Sequence, residues 1–343
     1  MNDPSRPLII PFFIAHEGCP HRCLFCNQHP ITGSGPEPAD ATEQEVAAEI
    51  ETWLRRSPRN GRRVQVAFYG GSFTGLPRER QQQLLGAVQP FIRRGQVDGI
   101  RVSTRPDYVH PETPAWLQGF GVETVELGVQ SLDQGVLDQS LRGHSVRQAE
   151  EAIALLKGAG LLTGAQLMVG LPGESTTSAV AGARRLVALG PHFARLYPAL
   201  VIRGSGLETL YRQGAYRPLP LLKAIALTAR LAAILAQGGV RVIRIGLQPS
   251  AALEASLVAG PYHPALGELV KARGFFNEIR RQLTPYRGQA SRLTIAARDR
   301  SLLSGPRQCT LRRLQALGLL EQTAISLDDS GRRGEVRVVN DRL

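Results

Sequence analysis

The residues best suited to chemistry are three cysteines near the start of the chain. Cys19, Cys23 and Cys26 follow one another with the spacing C-x3-C-x2-C. This spacing supplies three thiolates from one short segment, and the neighbouring residues offer no obvious fourth. Iron–sulfur clusters that only carry electrons usually have four cysteine ligands. A cluster with three protein ligands keeps one iron open, where a small molecule can bind and react.

The same three cysteines are also compatible with zinc. A Cys3His site would take its fourth ligand from one of three nearby histidines, His16, His21 or His29. Closed tetrahedral sites with such ligands are common. The cysteines by themselves therefore leave an iron–sulfur cluster and a zinc ion as two open interpretations.

Strands and helices alternate along the chain to about residue 245, and these elements must position the cysteines. Several apolar runs are continuous and β-branched, as expected of parallel strands covered on both faces. Repeated strand–helix units predict an α/β fold with a parallel sheet, and six units suggest a partial (β/α)6, TIM-like barrel. The predicted strands are Leu8–Ile14, Arg63–Tyr69, Ile100–Thr104, Thr124–Val129, Thr163–Met168, His192–Tyr197 and a seventh candidate, Val240–Ile245. The predicted helices are Thr42–Arg56, Pro77–Arg93, Pro111–Gln118, Val146–Gly158, Ser175–Ala188 and Leu219–Gln237.

The pattern changes after residue 249. We therefore divide the chain into a core domain, residues 1–249, and a basic C-terminal appendage, residues 250–343. Residues 250–285 look helical, and a small α+β piece follows. Its predicted elements are a strand at Leu293–Ala297, a helix at Thr310–Leu317, and strands at Ala324–Leu327 and Val336–Val339.

Composition bounds the class of protein and its partners. No stretch approaches the ~20 uninterrupted apolar residues of a membrane span, and the N-terminus lacks a signal-peptide pattern. Three of the four cysteines lie within eight positions, which argues against a disulfide framework and for a reducing compartment. We therefore expect a soluble cytoplasmic protein with no membrane association. Residues 271–343 carry 15 Lys/Arg against 7 Asp/Glu, which suits a polyanionic partner such as RNA; a solvated arginine-rich surface is the alternative.

A glycine-rich segment after the second predicted strand complements the cysteines. In Tyr69-Gly-Gly-Ser-Phe-Thr74, two glycines at a strand end allow a ligand to approach the backbone closely. Together the two segments resemble the radical S-adenosylmethionine (SAM) superfamily. Over residues 8–250 the chain most resembles the radical SAM half of the Elongator catalytic subunit, which modifies wobble uridine in tRNA. The further matching segments are Ser103-Thr-Arg-Pro-Asp107, Glu126-Leu-Gly-Val-Gln-Ser131, Leu141-Arg-Gly-His144, Gln166-Leu-Met-Val-Gly-Leu-Pro-Gly173 and Arg195-Leu-Tyr-Pro-Ala-Leu-Val-Ile-Arg-Gly-Ser-Gly-Leu207.

The resemblance implies two cofactors and the residues that bind them. Cys19, Cys23 and Cys26 are expected to hold a [4Fe-4S] cluster and to be the catalytic residues, while the open iron binds the amino and carboxylate groups of SAM. Phe25 is expected to border the adenine, and Arg142 and Arg195 can each neutralise a carboxylate with a bidentate pair. The full set expected to bind SAM is Phe25, Gly70, Gly71, Ser72, Ser103, Gln130, Arg142, Gln166 and Arg195.

The resemblance also implies a reaction. One electron enters SAM from the reduced cluster, and the resulting 5′-deoxyadenosyl radical abstracts hydrogen from a substrate. An electron donor such as flavodoxin or ferredoxin is the implied partner. The substrate stays open among RNA or tRNA, a small metabolite and another protein.

Some residues depart from the pattern of the relatives. Ser103 stands where both the Elongator subunit and oxygen-independent coproporphyrinogen oxidase have glutamate, and Gln166 replaces an acid of the oxidase. About 94 residues follow Pro249, too few for the acetyltransferase domain of the Elongator subunit, so we do not expect its acetyl-CoA-dependent reaction. A non-catalytic RNA-binding protein stabilised by zinc or a cluster, and a radical SAM fold that has lost activity, are the competing interpretations.

Overall fold

The structure is a computed structural model that describes residues 7–14, 17–19, 23–27, 42–57, 59–305 and 308–340. The chain forms two compact units. The first consists of Met1–Pro220 and Ile234–Tyr262, and the second of Leu221–Ala233 and His263–Leu343. The domain boundary predicted at residue 249 lies within the first unit. The division of the chain into two domains at that residue stays a prediction.

A parallel sheet of seven strands forms the centre of the first unit. Each strand pairs with the next one in the order β1-β2-β3-β4-β5-β6-β8, and the sheet curls into a half-barrel. The partial barrel is therefore confirmed, and the seventh candidate strand belongs to it. Its strands are β1 (Leu8–Phe13), β2 (Val64–Tyr69), β3 (Gly99–Thr104), β4 (Val122–Gln130), β5 (Leu162–Val169), β6 (Phe193–Pro198) and β8 (Arg241–Ile245).

Helices connect these strands, and polar caps set where several of them begin. Thr42 accepts a hydrogen bond from the backbone of Glu45, whose side chain accepts one from the backbone of Thr42, so the helix begins with a capping box. Ser145 begins another helix in the same way. The helices up to residue 256 are α1 (Glu43–Arg56), α2 (Arg78–Arg93), α3 (Thr113–Gly119), α4 (Gln134–Gln139), α5 (Val146–Gly158), α6 (Thr176–Leu189), α7 (Gly206–Arg212), α8 (Leu221–Gln237) and α9 (Ala251–Ser256).

A short strand corrects the prediction that residues 250–285 are helical. After α9, the strand β9 (Leu257–Ala259) pairs antiparallel with β7 (Val201–Ile202). The backbone of residues 257–259 finds its partner in a segment more than fifty positions earlier in the chain. The local pattern of apolar residues cannot predict a pairing between segments so far apart in the chain.

The strands of the sheet separate apolar from polar side chains by their parity. Val66, Val102 and Leu127 are fully buried on one face. Residues at the alternate positions of the strands, such as Tyr69 and Ser103, line the concave face. Because successive side chains of a strand point to opposite faces, a single sheet supplies both the core and a polar lumen.

The second unit is an α+β structure with its own apolar core. Its sheet has the order β11-β10-β12, with β10 and β11 parallel and β10 and β12 antiparallel. Phe276 and Ile279 pack with Leu293 and Ile295 in this core, so the predicted α+β appendage is present. Its elements are α10 (Leu266–Leu283), β10 (Ser291–Ala296), α11 (Arg300–Ser304), α12 (Cys309–Ala316), β11 (Thr323–Asp328) and β12 (Val336–Asn340).

None of the helices in the described ranges has the length and apolarity needed to cross a membrane.

Candidate active site

A cavity of about 1410 Å³ lies on the concave face of the sheet and extends over the loops that follow its strands. In barrels of parallel strands, the catalytic residues lie on the loops that follow the carboxyl ends of the strands. Strand and loop residues far apart in sequence meet here. The predicted site residues that line the cavity are Cys19, Cys23, Phe25, Cys26, Gly70, Gly71, Ser103, Gln130, Arg142, Gln166 and Arg195.

The segment that carries Cys23 and Cys26 is fastened to two helices. The backbone amide of Leu24 donates to the carbonyl of Ser140 at the end of α4 (3.1 Å), and the amide of Leu207 in α7 donates to the carbonyl of Leu24 (2.7 Å). The amide of Cys26 donates to the carbonyl of Cys23 (3.0 Å), which closes a turn. The cysteines are thereby held at the cavity wall by backbone hydrogen bonds.

Close backbone packing explains two glycines. A Cβ at Gly71 would lie 2.2 Å from the carbonyl oxygen of Glu17 and 2.6 Å from that of Ile14. A Cβ at Gly18, where φ is +69°, would lie 2.3 Å from the carbonyl oxygen of Ser72. The amide of Ser72 also donates to the carbonyl of Glu17 (2.7 Å). The segment before Cys19 and the loop after β2 therefore fit together only because these side chains are missing.

Ser72 is the one predicted SAM residue that is absent from the cavity lining among the described residues. Its hydroxyl is fully buried, lies 3.0 Å from the hydroxyl of Thr104 and accepts a hydrogen bond from the amide of Arg105 (3.2 Å). The side chain therefore ties the loop after β2 to the end of β3. A SAM contact by Ser72 stays a prediction.

Two arginines lie beside Cys23. Arg142 Nη1 is 3.4 Å and Arg105 Nη1 3.9 Å from the Cys23 Sγ. Arg105 also donates twice to Asp107 (3.0 and 2.8 Å) and once to the carbonyl of Arg142 (2.8 Å). Burial raises the pKa of Cys19, whereas Arg142 and Arg105 act to lower it. Burial outweighs the two guanidinium groups, so the pKa of Cys19 is raised overall.

His144 adds no positive charge to this environment at neutral pH. Its side chain is buried, and burial together with Arg142 lowers its pKa to about 3. The ring is not part of the cavity lining that the described residues form. This arrangement favours a structural role for His144 over contact with a ligand in the cavity.

A buried ion network crosses the floor of the cavity. Glu126 of β4 is fully buried and pairs with Arg101 of β3 (2.8 Å) and with Arg195 of β6 (2.6 Å). Tyr69 donates to Glu126 (3.2 Å) and accepts from Arg195 (3.0 Å). Burial and Glu126 both raise the pKa of Tyr69. The bidentate pair that we expected Arg195 to make with a carboxylate is made with Glu126, and its contact with SAM stays a prediction.

The sequence analysis missed Glu126, Arg101 and Arg105 as site residues. Glu126 and Arg101 could have been found from the sequence, because they are charged residues inside predicted buried strands. Such residues are almost never fully buried unless they are paired, and both have the inward parity. Arg105 was visible only as part of the matching segment Ser103–Asp107.

Polar atoms of three predicted residues are buried and make neither a hydrogen bond nor an ion pair with any described residue. They are the Ser103 Oγ, the Gln130 Oε1 and the Arg142 Nε, and all three residues line the cavity. Gln130 also has a φ of +66°, a conformation that costs a non-glycine residue energy and is concentrated at functional sites. Since an unsatisfied buried polar group is costly, this lining fits a polar ligand such as SAM, and the arginines beside Cys23 fit an anionic cluster.

A single metal ion would need ligands that converge on one point. In the ranges that the structure describes, no three His, Cys, Asp or Glu side chains are grouped in that way. Cys19, Cys23 and Cys26 are free cysteines, and they are the residues that would hold a cluster. His16, His21 and His29, the candidate fourth ligands of zinc, lie outside the described residues.

Curated proteins of similar sequence include tRNA-modifying enzymes. An uncharacterised protein of Methanocaldococcus jannaschii is 28% identical over 213 residues, covering 59% of this chain and 64% of that protein. The tRNA uridine(34) acetyltransferase of Dehalococcoides mccartyi is 28% identical over 233 residues, with 59% and 50% covered. Elongator complex protein 3 of Bos taurus is 33% identical over 231 residues, with 62% and 42% covered. The chain thus spans about half the length of the curated relatives it matches.

Solved structures share the fold. The archaeal Elp3 of Methanocaldococcus infernus superimposes with a TM-score of 0.62 at 23% identity, covering 78% of this chain and 62% of that chain. Coproporphyrinogen III oxidase from Escherichia coli, a radical SAM enzyme, gives a TM-score of 0.51 at 20% identity, covering 69% of this chain and 54% of that chain.

Family models cover most of the chain that forms this site. The Radical SAM superfamily model matches residues 13–180, and the Radical_SAM C-terminal domain model matches residues 191–274. The first match contains the three cysteines, Gly70–Gly71, Gln130 and Arg142, and the second contains Arg195. With these matches and the half-barrel fold, the chain belongs to the radical SAM superfamily of enzymes and is similar within it to Elongator complex protein 3.

Proposed function

We propose that this chain binds a [4Fe-4S] cluster through Cys19, Cys23 and Cys26 and binds SAM in the adjoining cavity. The observation that carries the proposal is that the expected cluster ligands and the expected SAM residues line one cavity. The cysteine loop and Gly70–Gly71 line the same cavity as the unpaired polar atoms of Ser103, Gln130 and Arg142. A site of this kind holds an anionic cluster at one end and a polar cofactor beside it.

When bound, the cluster and SAM supply a one-electron cleavage that generates a 5′-deoxyadenosyl radical for hydrogen abstraction, and the protein contributes binding and orientation. Arg142 and Arg105 offset the negative charge of the thiolates, since they lie 3.4 and 3.9 Å from the Cys23 Sγ. Exclusion of water from the lumen would suppress side reactions. A flavodoxin or ferredoxin would deliver the electron.

Individual residues have distinct expected roles in binding SAM. Phe25 packs beside Val136, Leu171 and Ala199 and also lines the cavity, which is compatible with the expected adenine contact. Gln130 offers an acceptor without a partner. Gly70 and Gly71 leave their backbone accessible to the methionine end.

We further propose RNA, and tRNA in particular, as the substrate class. The proposal is supported by similarity to a tRNA uridine(34) acetyltransferase and by the excess of positive charge in residues 271–343. A small metabolite or a protein substrate is the alternative. In that case the purified enzyme would show no affinity for tRNA.

The central test is the production of 5′-deoxyadenosine. The purified chain is reconstituted anaerobically with iron and sulfide, reduced with dithionite and mixed with SAM. We expect 5′-deoxyadenosine from the wild type and none from Cys23→Ala, which lacks one cluster ligand. The matched control is Cys309→Ala, which removes an exposed cysteine remote in sequence from the three others and should retain the product.

Metal analysis of the same preparations separates the competing interpretations. Iron that Cys23→Ala loses and Cys309→Ala keeps supports the cluster. Bound zinc, colourless protein and intact SAM would establish the non-catalytic zinc protein. A loaded cluster with intact SAM, in the presence and absence of tRNA, would indicate a radical SAM fold without this activity.

A further inference from the structure

Three arginines of the second unit converge on one phenylalanine. Arg273 and Arg280 lie on α10, and Arg313 lies on α12. Their guanidinium carbons are 5.5, 6.0 and 4.8 Å from the centroid of the Phe276 ring. Because all three surround a single ring, three positive charges share a small volume at the junction of two helices. We refer to Arg273, Arg280 and Arg313 as the arginine cluster.

The arginine cluster has no acidic counterpart. Within the described part of the chain, no carboxylate forms an ion pair with any of its members, and the buried Nε of Arg273 makes no hydrogen bond. Burial lowers the pKa of Arg273, and the charges of Arg313 and Arg280 lower it further. Neighbouring arginines differ, because Arg281 pairs with Glu278 at 2.6 Å and Arg337 pairs with Asp328 at 2.9 Å.

The phenylalanine holds these side chains in place. Arg273 and Arg280 precede and follow Phe276 by three and four positions, which puts all three on one face of α10. The ring is only 3% exposed, so its position is set by the core beneath it. Cation–π contacts of this kind are worth about 0.5–1 kcal/mol each at exposed sites. They orient the guanidinium groups but do not neutralise their charges.

We infer that the arginine cluster is a binding site for the phosphate groups of an RNA strand. Guanidinium groups match phosphate oxygens with paired hydrogen bonds. A polyanion supplies the negative charge that the protein itself does not place here. This inference rests on the proposed RNA substrate and names the part of the basic second unit that would bind it.

The test is binding of a fluorescein-labelled, in vitro transcribed tRNA to the full chain, measured by anisotropy between about 50 and 200 mM salt. The double variant Arg280→Gln/Arg313→Gln removes two exposed members of the cluster. The control Arg281→Gln/Arg337→Gln removes the same charge from exposed arginines that already have carboxylate partners. Circular dichroism and thermal melting verify that both proteins are folded.

We expect the cluster variant to bind tRNA about tenfold more weakly and to lose about one unit of salt slope for each phosphate contact removed. The control should bind nearly as the wild type does. Equal weakening of both variants, or no weakening of the cluster variant, would overturn the site while leaving RNA as the substrate. A wild type that does not bind tRNA would overturn both. The proposed radical chemistry is tested separately, by measuring the 5′-deoxyadenosine that forms in the absence of RNA.

Discussion

At the scale of single residues, two features stand out: a glycine whose position has no room for a side chain and a carboxyl group with a raised pKa. Gly71 is a glycine because two backbone carbonyls occupy the place of its side chain. Glu174, in the loop after β5, is half-buried and accepts a hydrogen bond from the amide of Gly170 (2.5 Å). Each of these features has a measurable consequence.

Gly71→Ala should displace the segment before Cys19, because the new Cβ would lie 2.2 Å from the Glu17 carbonyl oxygen. We expect a loss of roughly 1–3 kcal/mol in the free energy of unfolding, as for overpacking, and less iron per chain after reconstitution. The matched control is Gly86→Ala in α2, where a Cβ meets nothing within 4 Å, and which should slightly stabilise the helix. Equal iron content in the two variants would contradict this account of Gly71.

Glu174→Gln should change how stability depends on pH. Burial raises the pKa of Glu174 from 4.5 to about 7, so the folded state binds the proton more tightly than the unfolded state. The corresponding stability is complete below pH 4.5 and is lost as the pH rises through about 7, a change on the order of 3 kcal/mol. Glutamine has no such proton but still accepts from Gly170.

The measurement is the urea unfolding free energy of wild type and Glu174→Gln at several pH values between about 5 and 8. The variant should become more stable relative to the wild type as the pH rises. Parallel profiles for the two proteins would show that Glu174 ionises as freely in the folded chain as in the unfolded one.

At the scale of elements, the floor of the cavity holds three strands together by charge. Glu126 on β4 joins Arg101 on β3 and Arg195 on β6, across the intervening strand β5. The network places two cations around one buried anion. Removing Glu126 leaves both arginines without a carboxylate partner in a largely buried place, which is more costly than losing an exposed pair.

Glu126→Gln should destabilise the protein by about 3–5 kcal/mol, the range found when one partner of a buried ion pair is removed. Glu150→Gln is the matched control, because Glu150 pairs with Arg185 near the surface and exposed pairs contribute about 0–1 kcal/mol. Urea unfolding of both variants at pH 7 supplies the comparison. Similar small losses would mean that water or another group compensates for the missing Glu126 charge.

At the scale of the whole molecule, chemistry and charge are divided along the chain. The three cysteines and the cavity belong to the first unit, whereas residues 271–343, which hold most of the excess charge, belong to the second. Phosphate contacts depend steeply on salt, while a buried cluster site depends on metal loading. Binding of tRNA and cleavage of SAM are therefore expected to respond to different variants, and the arginine cluster experiment uses this separation.

Element prediction succeeded where local chemistry was strong. The helix predicted at Val146–Gly158 has those bounds, because Ser145 begins it with a capping box that is visible in the sequence. The short helices α4 and α7 were missed, since six or seven residues are too few to establish an apolar period. The strand β9 was missed because its pairing partner is distant in the chain.

The amino-acid sequence alone determined the order of the seven sheet strands and of most connecting helices, the cysteine spacing and the parity that turns polar side chains inward. It also placed the predicted site at the carboxyl ends of the strands. These features follow from local spacing and from the rules of parallel sheets. Only the tertiary structure decided that Arg195 pairs with Glu126, that Ser72 turns away from the cavity and that three arginines meet at Phe276. The Arg195–Glu126 pair, the tie from Ser72 to the end of β3 and the approach of Arg313 to Phe276 each join separate elements of the fold, and this packing is encoded by no local pattern.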